Sequence, residues 1–187
     1  LKEALPEVLA KKPANESVRV WVPGCSTGEE AYSIAILLRE CAESLQKHFS
    51  VQVFATDLDG DAIEFARRGS YPEGIAGDVS PQRLGRFFTR GDASYSVAKD
   101  IRETVIFAQQ DVIKDAPFTK LDLLSCRNLL IYLNGELQRR LLPLFHYALR
   151  PGGLLFLGSS ETVGGFDDLF GNVDRRWKLF RRKPTAA

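Results

Sequence analysis

Cysteine is scarce: Cys25, Cys41 and Cys126 are the three in 187 residues, and no two of them form a C-x-x-C pair. An odd count without paired spacing excludes a disulfide framework, and the two histidines, His48 and His146, supply no metal-ligand spacing, so no metal is expected. No run of 18 apolar residues exists, which excludes a spanning helix. The N-terminus, with Pro6, Lys11, Lys12 and Pro13, lacks the apolar core of a signal peptide, so a cytoplasmic chain without membrane insertion is expected. Excess charge is missing too. Lys plus Arg number 25 against 24 Asp plus Glu, a net +1, which argues against a protein whose main work is neutralising a phosphate backbone. Neither a repeat nor a low-complexity tract interrupts the chain. With 44% hydrophobic residues, it is long enough and apolar enough to bury a complete core as one domain.

The apolar runs Val18 to Val22, Val51 to Thr56, Val105 to Ala108, Leu121 to Cys126 and Leu154 to Gly158 are short and mostly continuous. Continuous apolar strands are buried on both faces, as in parallel sheets. Between the first two, Ala31, Ile34, Ala35, Leu38, Ala42 and Leu45 recur at helical spacing, and Thr27 with Glu30 predicts a T-x-x-E capping box. A second helix is expected from Asp61 to Arg68, stopping at Gly69. A third is expected from Asn134, kinked at Pro143 and closing at Arg150-Pro151-Gly152. This alternation predicts an α/β fold, a mostly parallel sheet with helices on both faces and right-handed crossovers. Residues 70–104 break the rhythm: Ser80-Pro81 opens a short helix through Phe88, then Tyr95, Val97 and Ile101 alternate with polar residues. An inserted antiparallel β-subdomain is expected there. Arg175 to Lys183 predicts a late strand, antiparallel at an edge.

In an open α/β sheet, ligands sit beyond the carboxyl ends of the strands. After the first strand comes Pro23-Gly24-Cys25-Ser26-Thr27-Gly28-Glu29-Glu30. Its glycines admit a ligand close to the backbone, and the helix start offers free N–H groups. Two carboxylates in that first turn would repel a dinucleotide pyrophosphate, so a cationic or uncharged ligand fits better than NAD. A tight turn with a favourable helix-dipole pair explains Glu29 and Glu30 equally well. After the second strand, Asp57 stands where an acid accepts hydrogen bonds from both ribose hydroxyls. After the third, Asp111 is either a cap or an acceptor for an adenine amino group. Ser125-Cys126-Arg127-Asn128 follows the fourth, with Tyr132 close behind. A glycine loop plus acids after the second and third strands is the pattern for S-adenosylmethionine, whose sulfonium tolerates them.

The stretches WVPGCSTGEEAYSIAI (residues 21–36), FATDLD (54–59), SCRNLLIYL (125–133) and LRPGGLLFLGSSET (149–162) closely resemble the CheR-type chemoreceptor glutamate methyltransferases. The likeness spans residues 18 to 182. It implies a Rossmann-like class I methyltransferase fold and S-adenosylmethionine, with S-adenosylhomocysteine as product. It also implies that Gly24 and Glu30 flank the methionine moiety, that Asp57 holds the ribose, and that Asp111 and Val112 meet the adenine. Arg127 and Asn128 would line the reaction side. Tyr132 would stand near the methyl group and, with Arg127, is a catalytic candidate; a half-buried ring after the fourth strand is the other reading of Tyr132.

The implied partners are chemoreceptor cytoplasmic domains, with residues 70–104 as a docking surface. FATDLDGDAIEFARRGSYP resembles versions fused to sensor or methylesterase modules. The family also carries an N-terminal helical domain and a T-x-F-F-R motif before the first strand. Residues 1–17 contain no such motif, and residues 1–12 resemble the helix that follows it. The chain, which starts at Leu1, is thus expected to be an excised piece that begins just downstream. A catalytically weak cofactor-binding module is therefore the competing expectation. The basic stretch from Arg175 to Lys183 suggests a nucleic-acid methyltransferase, but the fourth strand ends in Cys-Arg-Asn and not in the Asn/Asp-Pro-Pro-aromatic signature of base-methylating enzymes. No nucleic-acid partner is expected.

Overall fold

A computed structural model describes residues 1–185. In chain order the elements are α1 (Ala4–Ala10), β1 (Val18–Pro23), α2 (Glu29–Ser44), β2 (Val51–Asp57), α3 (Gly60–Arg68), β3 (Ser70–Pro72), α4 (Pro81–Phe87), β4 (Phe88–Arg90), β5 (Ser94–Val97) and α5 (Lys99–Arg102). They are followed by β6 (Val105–Gln109), β7 (Leu121–Cys126), α6 (Gly135–Ala148), β8 (Leu149–Leu157), β9 (Phe170–Asp174) and β10 (Leu179–Arg182). Seven strands form one sheet in the order β6-β2-β1-β7-β8-β10-β9. β6, β2, β1, β7 and β8 run parallel, and β10 is antiparallel to both neighbours. A separate antiparallel sheet, β3-β5-β4, lies within residues 70–97.

The continuity of the apolar runs has a simple cause: both faces of the sheet are covered. Val20, Val22, Val53, Ala55, Leu123 and Leu154 point into one core with Leu5, Leu9, Ala31, Ile34, Leu38, Ile63 and Ile101 from the helices. Trp21, Phe54, Leu124 and Leu155 point into the other with Leu141, Leu142 and Phe145 of α6. Trp21 is fully buried, and its indole N–H donates to Thr56 Oγ1 at 3.0 Å, satisfying the one polar atom that burial would otherwise penalise.

The helix ends follow local chemistry. Asp59 caps α3 by accepting from the Asp61 and Ala62 amides, and Gly69 closes it in a left-handed conformation. Asn134 caps α6 by accepting from Leu137 N at 2.9 Å. α6 carries Pro143 inside one unbroken element.

Four expectations need correction. The capping box does not form: Gly28, with φ of 92°, takes the N-cap of α2, and the Thr27 hydroxyl donates to Glu29. α6 does not close at Arg150-Pro151-Gly152, because β8 begins at Leu149 and runs through those residues, with Gly152 in a left-handed conformation. Ile101 lies in the short helix α5, where it is fully buried, and not in a strand. The late strand is not the edge, since β10 is flanked by β8 and β9, and Arg175 to Lys178 turn the hairpin from β9 to β10. Arg182 donates to Leu149 O, Arg181 to Gly152 O and Lys183 to Asp167 O, and Arg176 covers the exposed Trp177. Much of the basic stretch is therefore engaged within the molecule. Among the described residues no helix is long and apolar enough to cross a membrane.

One buried ion pair ties the N-terminal segment to the sheet. Lys12 Nζ lies 3.0 Å from Asp122 Oδ1, both side chains are under a tenth exposed, and Asp122 Oδ2 accepts from Arg19 N at 2.9 Å. Removing the cation leaves a buried carboxylate without its counter-charge, so Lys12→Met should cost about 3 kcal/mol of stability. Urea denaturation checks this; a midpoint equal to that of the parent chain would contradict it.

Candidate functional site

β1 pairs with β2 on one side and β7 on the other. The connections from β1 and β7 diverge at their carboxyl ends, and such a reversal opens a crevice. Residues 24–28 form the turn from β1 into α2 at this point. The turn leaves β1 through Cys25 N, which donates to Thr56 O at 2.9 Å, and Gly28 N, which donates to Cys25 O at 3.0 Å. Only glycine suits position 28. Beyond its positive φ, a Cβ there would meet that of Ala66 at 2.8 Å and the Phe107 ring at 3.1 Å. Tyr71 of β3 braces the turn from outside by donating to Thr27 O at 2.7 Å.

The Asp57 carboxylate is fixed by two backbone amides, with Ser26 N donating to Oδ2 at 2.8 Å and Asp59 N to Oδ1 at 2.9 Å. A carboxylate oxygen has two acceptor positions, so each oxygen keeps one for a ligand. Glu30, on the first turn of α2, accepts from the hydroxyl of Ser125 at the end of β7. Burial raises its pKa above the ordinary 4.5, opposed by the Ser125 hydrogen bond and the Arg127 charge and reinforced by Glu161. Burial, together with Asp57, pushes the Cys25 thiol up to about 12, so it stays protonated and is no nucleophile.

The structure brings Gly24, Glu30, Asp57, Arg127 and Asn128 to the strand ends that border this crevice. Gly24 stands over Leu129, whose nearest carbons are 3.5 Å from where a Cβ would lie. Arg127 is exposed, its guanidinium 4.7 Å from the Phe156 ring centroid. Asn128 holds a left-handed φ of 60°. Asp111 follows β6 and caps its own turn by accepting from Ile113 N at 2.9 Å, while Val112 packs partly buried beside the Trp21 core. Tyr132 is not half-buried: the ring is 79% exposed on the 3-10 turn after β7, which leaves the hydroxyl accessible.

Sequence reasoning missed Glu161. The residue is 3% exposed, and its carboxylate accepts from Gly158 N and Asn128 N at 2.7 Å and from Ile131 N at 3.3 Å. Gly158 leaves it room, for a Cβ there would lie 2.7 Å from Glu161 Oε1 and 2.4 Å from Asn128 Oδ1. The motif LRPGGLLFLGSSET contains Glu161, yet nothing local marks its role. Ser125, as the partner of Glu30, was likewise unassigned.

An acid-lined crevice at the sheet's reversal, with helices on both faces and an antiparallel final hairpin, defines the class I S-adenosylmethionine-dependent methyltransferase fold. A TehB-like S-adenosylmethionine-dependent methyltransferase from Corynebacterium glutamicum superposes over 97% of this chain and 85% of its own, with TM-score 0.51 at 15% identity. The DszA carbon methyltransferase gives TM-score 0.52 at 18% identity, over 85% of this chain and 33% of its own. Residues 1–179 match the family described as CheR methyltransferase, SAM binding domain, and the chain belongs to that family. It is 36% identical over 172 residues to chemotaxis protein methyltransferase 1 of Pseudomonas aeruginosa, covering 89% of this chain and 62% of that protein. It is 35% identical over 176 residues to the putative methyltransferase Cher3 of Pseudomonas putida, covering 89% of this chain and 63% of that protein. All of this chain is 38% identical to one fifth (20%) of an uncharacterised 104.1 kDa protein of Rhodobacter capsulatus encoded in the hypE 3' region. The chain thus spans about three-fifths or less of the length of these relatives.

The site residues fit the family's cofactor on two counts. Asp57 offers fixed, unsaturated acceptors for a diol, and Glu30 and Asp57 together bring negative charge suited to a sulfonium to the same strand ends. Glu30 also carries a signature in the free chain. Its raised pKa contributes stability below pH 4.5 that is lost as the pH rises through the folded value. Glu30→Gln should therefore raise the thermal midpoint of the ligand-free chain at pH 7 but not below pH 4.5, while weakening S-adenosylmethionine binding at pH 7. A midpoint difference that ignores pH would contradict the buried-charge account.

Proposed function

We propose that this chain binds S-adenosylmethionine in the crevice between β1 and β7 and methylates glutamate side chains of chemoreceptor cytoplasmic domains. The observation that carries the reading is the Asp57 carboxylate, pinned by the Ser26 and Asp59 amides with spare acceptor positions, at the same strand ends as the half-buried Glu30. Asp57 holds the ribose hydroxyls, Gly24 and Glu30 flank the methionine moiety, and Asp111 with Val112 meets the adenine. Arg127 and Asn128 line the reaction side. The cofactor supplies an electrophilic methyl group on a cationic sulfur.

An ionised glutamate is already nucleophilic, so this transfer needs no general base. The chain's task is to position the acceptor oxygen in line and to exclude water. The exposed Tyr132 hydroxyl donates to the incoming carboxylate and orients it, and the Arg127 guanidinium offsets the acceptor's charge on approach. Residues 70–104, with the small β3-β5-β4 sheet, form an inserted subdomain within the methyltransferase domain and offer the receptor a docking surface. That this chain matches one fifth (20%) of the length of the Rhodobacter capsulatus relative supports a module within a larger protein.

Two measurements test the reading. Asp57→Ala should weaken S-adenosylhomocysteine binding by about 1 to 3 kcal/mol by calorimetry, the scale of a lost charge-assisted hydrogen bond. Unchanged affinity would remove Asp57 from the pocket. Tyr132→Phe should lower methyl transfer to a receptor cytoplasmic fragment by about tenfold with cofactor affinity held, the scale of one hydrogen bond. Cofactor binding without any transfer by the parent chain would instead assign it as a binding module.

A further inference from the structure

The chain from Arg127 to Tyr132 has little regular structure of its own, yet it carries the residues placed on the reaction side. It leaves β7 with Asn128 in a left-handed conformation, φ 60°, which asparagine adopts more readily than other non-glycine residues. Its amide is held from outside the loop. Glu161, from the segment after β8, accepts from the amide of Asn128 at 2.7 Å and of Ile131 at 3.3 Å, and a third amide, Gly158 N at 2.7 Å, fixes the carboxylate to the end of β8. Glu161 N closes the turn on Gly158 O at 3.0 Å. Glu161 is 3% exposed, where unmatched charge would be costly, so these N–H groups are what make its burial tolerable. The bare Cα of Gly158 is equally required, because a side chain there would occupy the positions of the Glu161 and Asn128 oxygens.

We infer that Glu161 is the positioning residue of the reaction-side loop, an internal anion around which Asn128, Ile131 and the adjoining Tyr132 are arranged. It touches neither cofactor nor acceptor and acts through the loop it holds. The inference rests on the methyl-transfer reading for its kinetic consequence, but the geometric claim stands by itself.

The test uses the full chain and the variants Glu161→Ala, Glu161→Gln, Tyr132→Phe and the Glu161→Ala, Tyr132→Phe pair. Loss of the carboxylate leaves the Asn128 and Ile131 amides without the acceptor that fixes the loop, so Glu161→Ala should slow transfer to a receptor fragment at saturating cofactor by about 10- to 100-fold. Glu161→Gln keeps an acceptor for Asn128 and Gly158 and should recover most of the rate. With Tyr132 already changed to Phe, Glu161→Ala should cost much less, since both act through one loop. An unchanged rate in Glu161→Ala, or effects that simply multiply in the pair, would overturn the inference.

Amide exchange in the ligand-free chain separates this from the functional reading. Glu161→Ala should speed exchange at Asn128 and Ile131 while Val53 in β2 stays protected. If the parent chain transfers no methyl group, the functional reading falls and exchange decides alone; no acceleration at those two amides would overturn the inference whatever the kinetics show.

Discussion

The order of strands across β2, β1 and β7 is the constraint on which the site depends. Because β1 is hydrogen-bonded on both sides, the chain leaving it cannot stay in the sheet plane and must turn sharply over its own carboxyl end. That turn is narrow enough to demand Gly28, and it delivers the Ser26 amide to Asp57 on the neighbouring strand. One backbone reversal thus places an acid, a helix start and a glycine loop around a single opening. The acids would repel one another in isolation, and they are tolerated because each is anchored: Asp57 by amides, Glu30 by Ser125 and Glu29 by Thr27.

The strands of the parallel half were legible because burial on two faces leaves no polar alternation, and β1, β2, β6 and β7 appear within a residue of their apolar runs. β9 was not legible. Its sequence, FGNVD, has one fully buried residue, Phe170, and otherwise reads as a turn; it becomes a strand only because β10 offers it a partner. The capping box failed for a related reason. The T-x-x-E spacing was present, but Gly28 turned the chain before Thr27 could reach the helix, and Tyr71 took the Thr27 carbonyl. Local pattern yields where a distant side chain competes.

The crevice residues divide in the same way. Asp57 and Glu30 announce themselves by following strands at fixed offsets, so position in the chain was enough. Glu161 interacts with amides 30 and 33 residues away, and main-chain donors leave no trace in residue type. An acid whose partners are all backbone is invisible to any search for complementary side chains. Pro23 and Gly24 could be found from the sequence; the carboxylate that shapes the opposite wall could not.

The two tryptophans give the molecule an optical asymmetry. Trp21 is sealed in the core, its indole bonded to Thr56 one residue before Asp57, whereas Trp177 is 62% exposed on the terminal hairpin. Fluorescence from the first is shielded from aqueous quenchers and sits beside the crevice, while the second emits from water. A quencher such as iodide therefore silences one reporter selectively, and what remains is a built-in probe of the sheet beneath the candidate pocket.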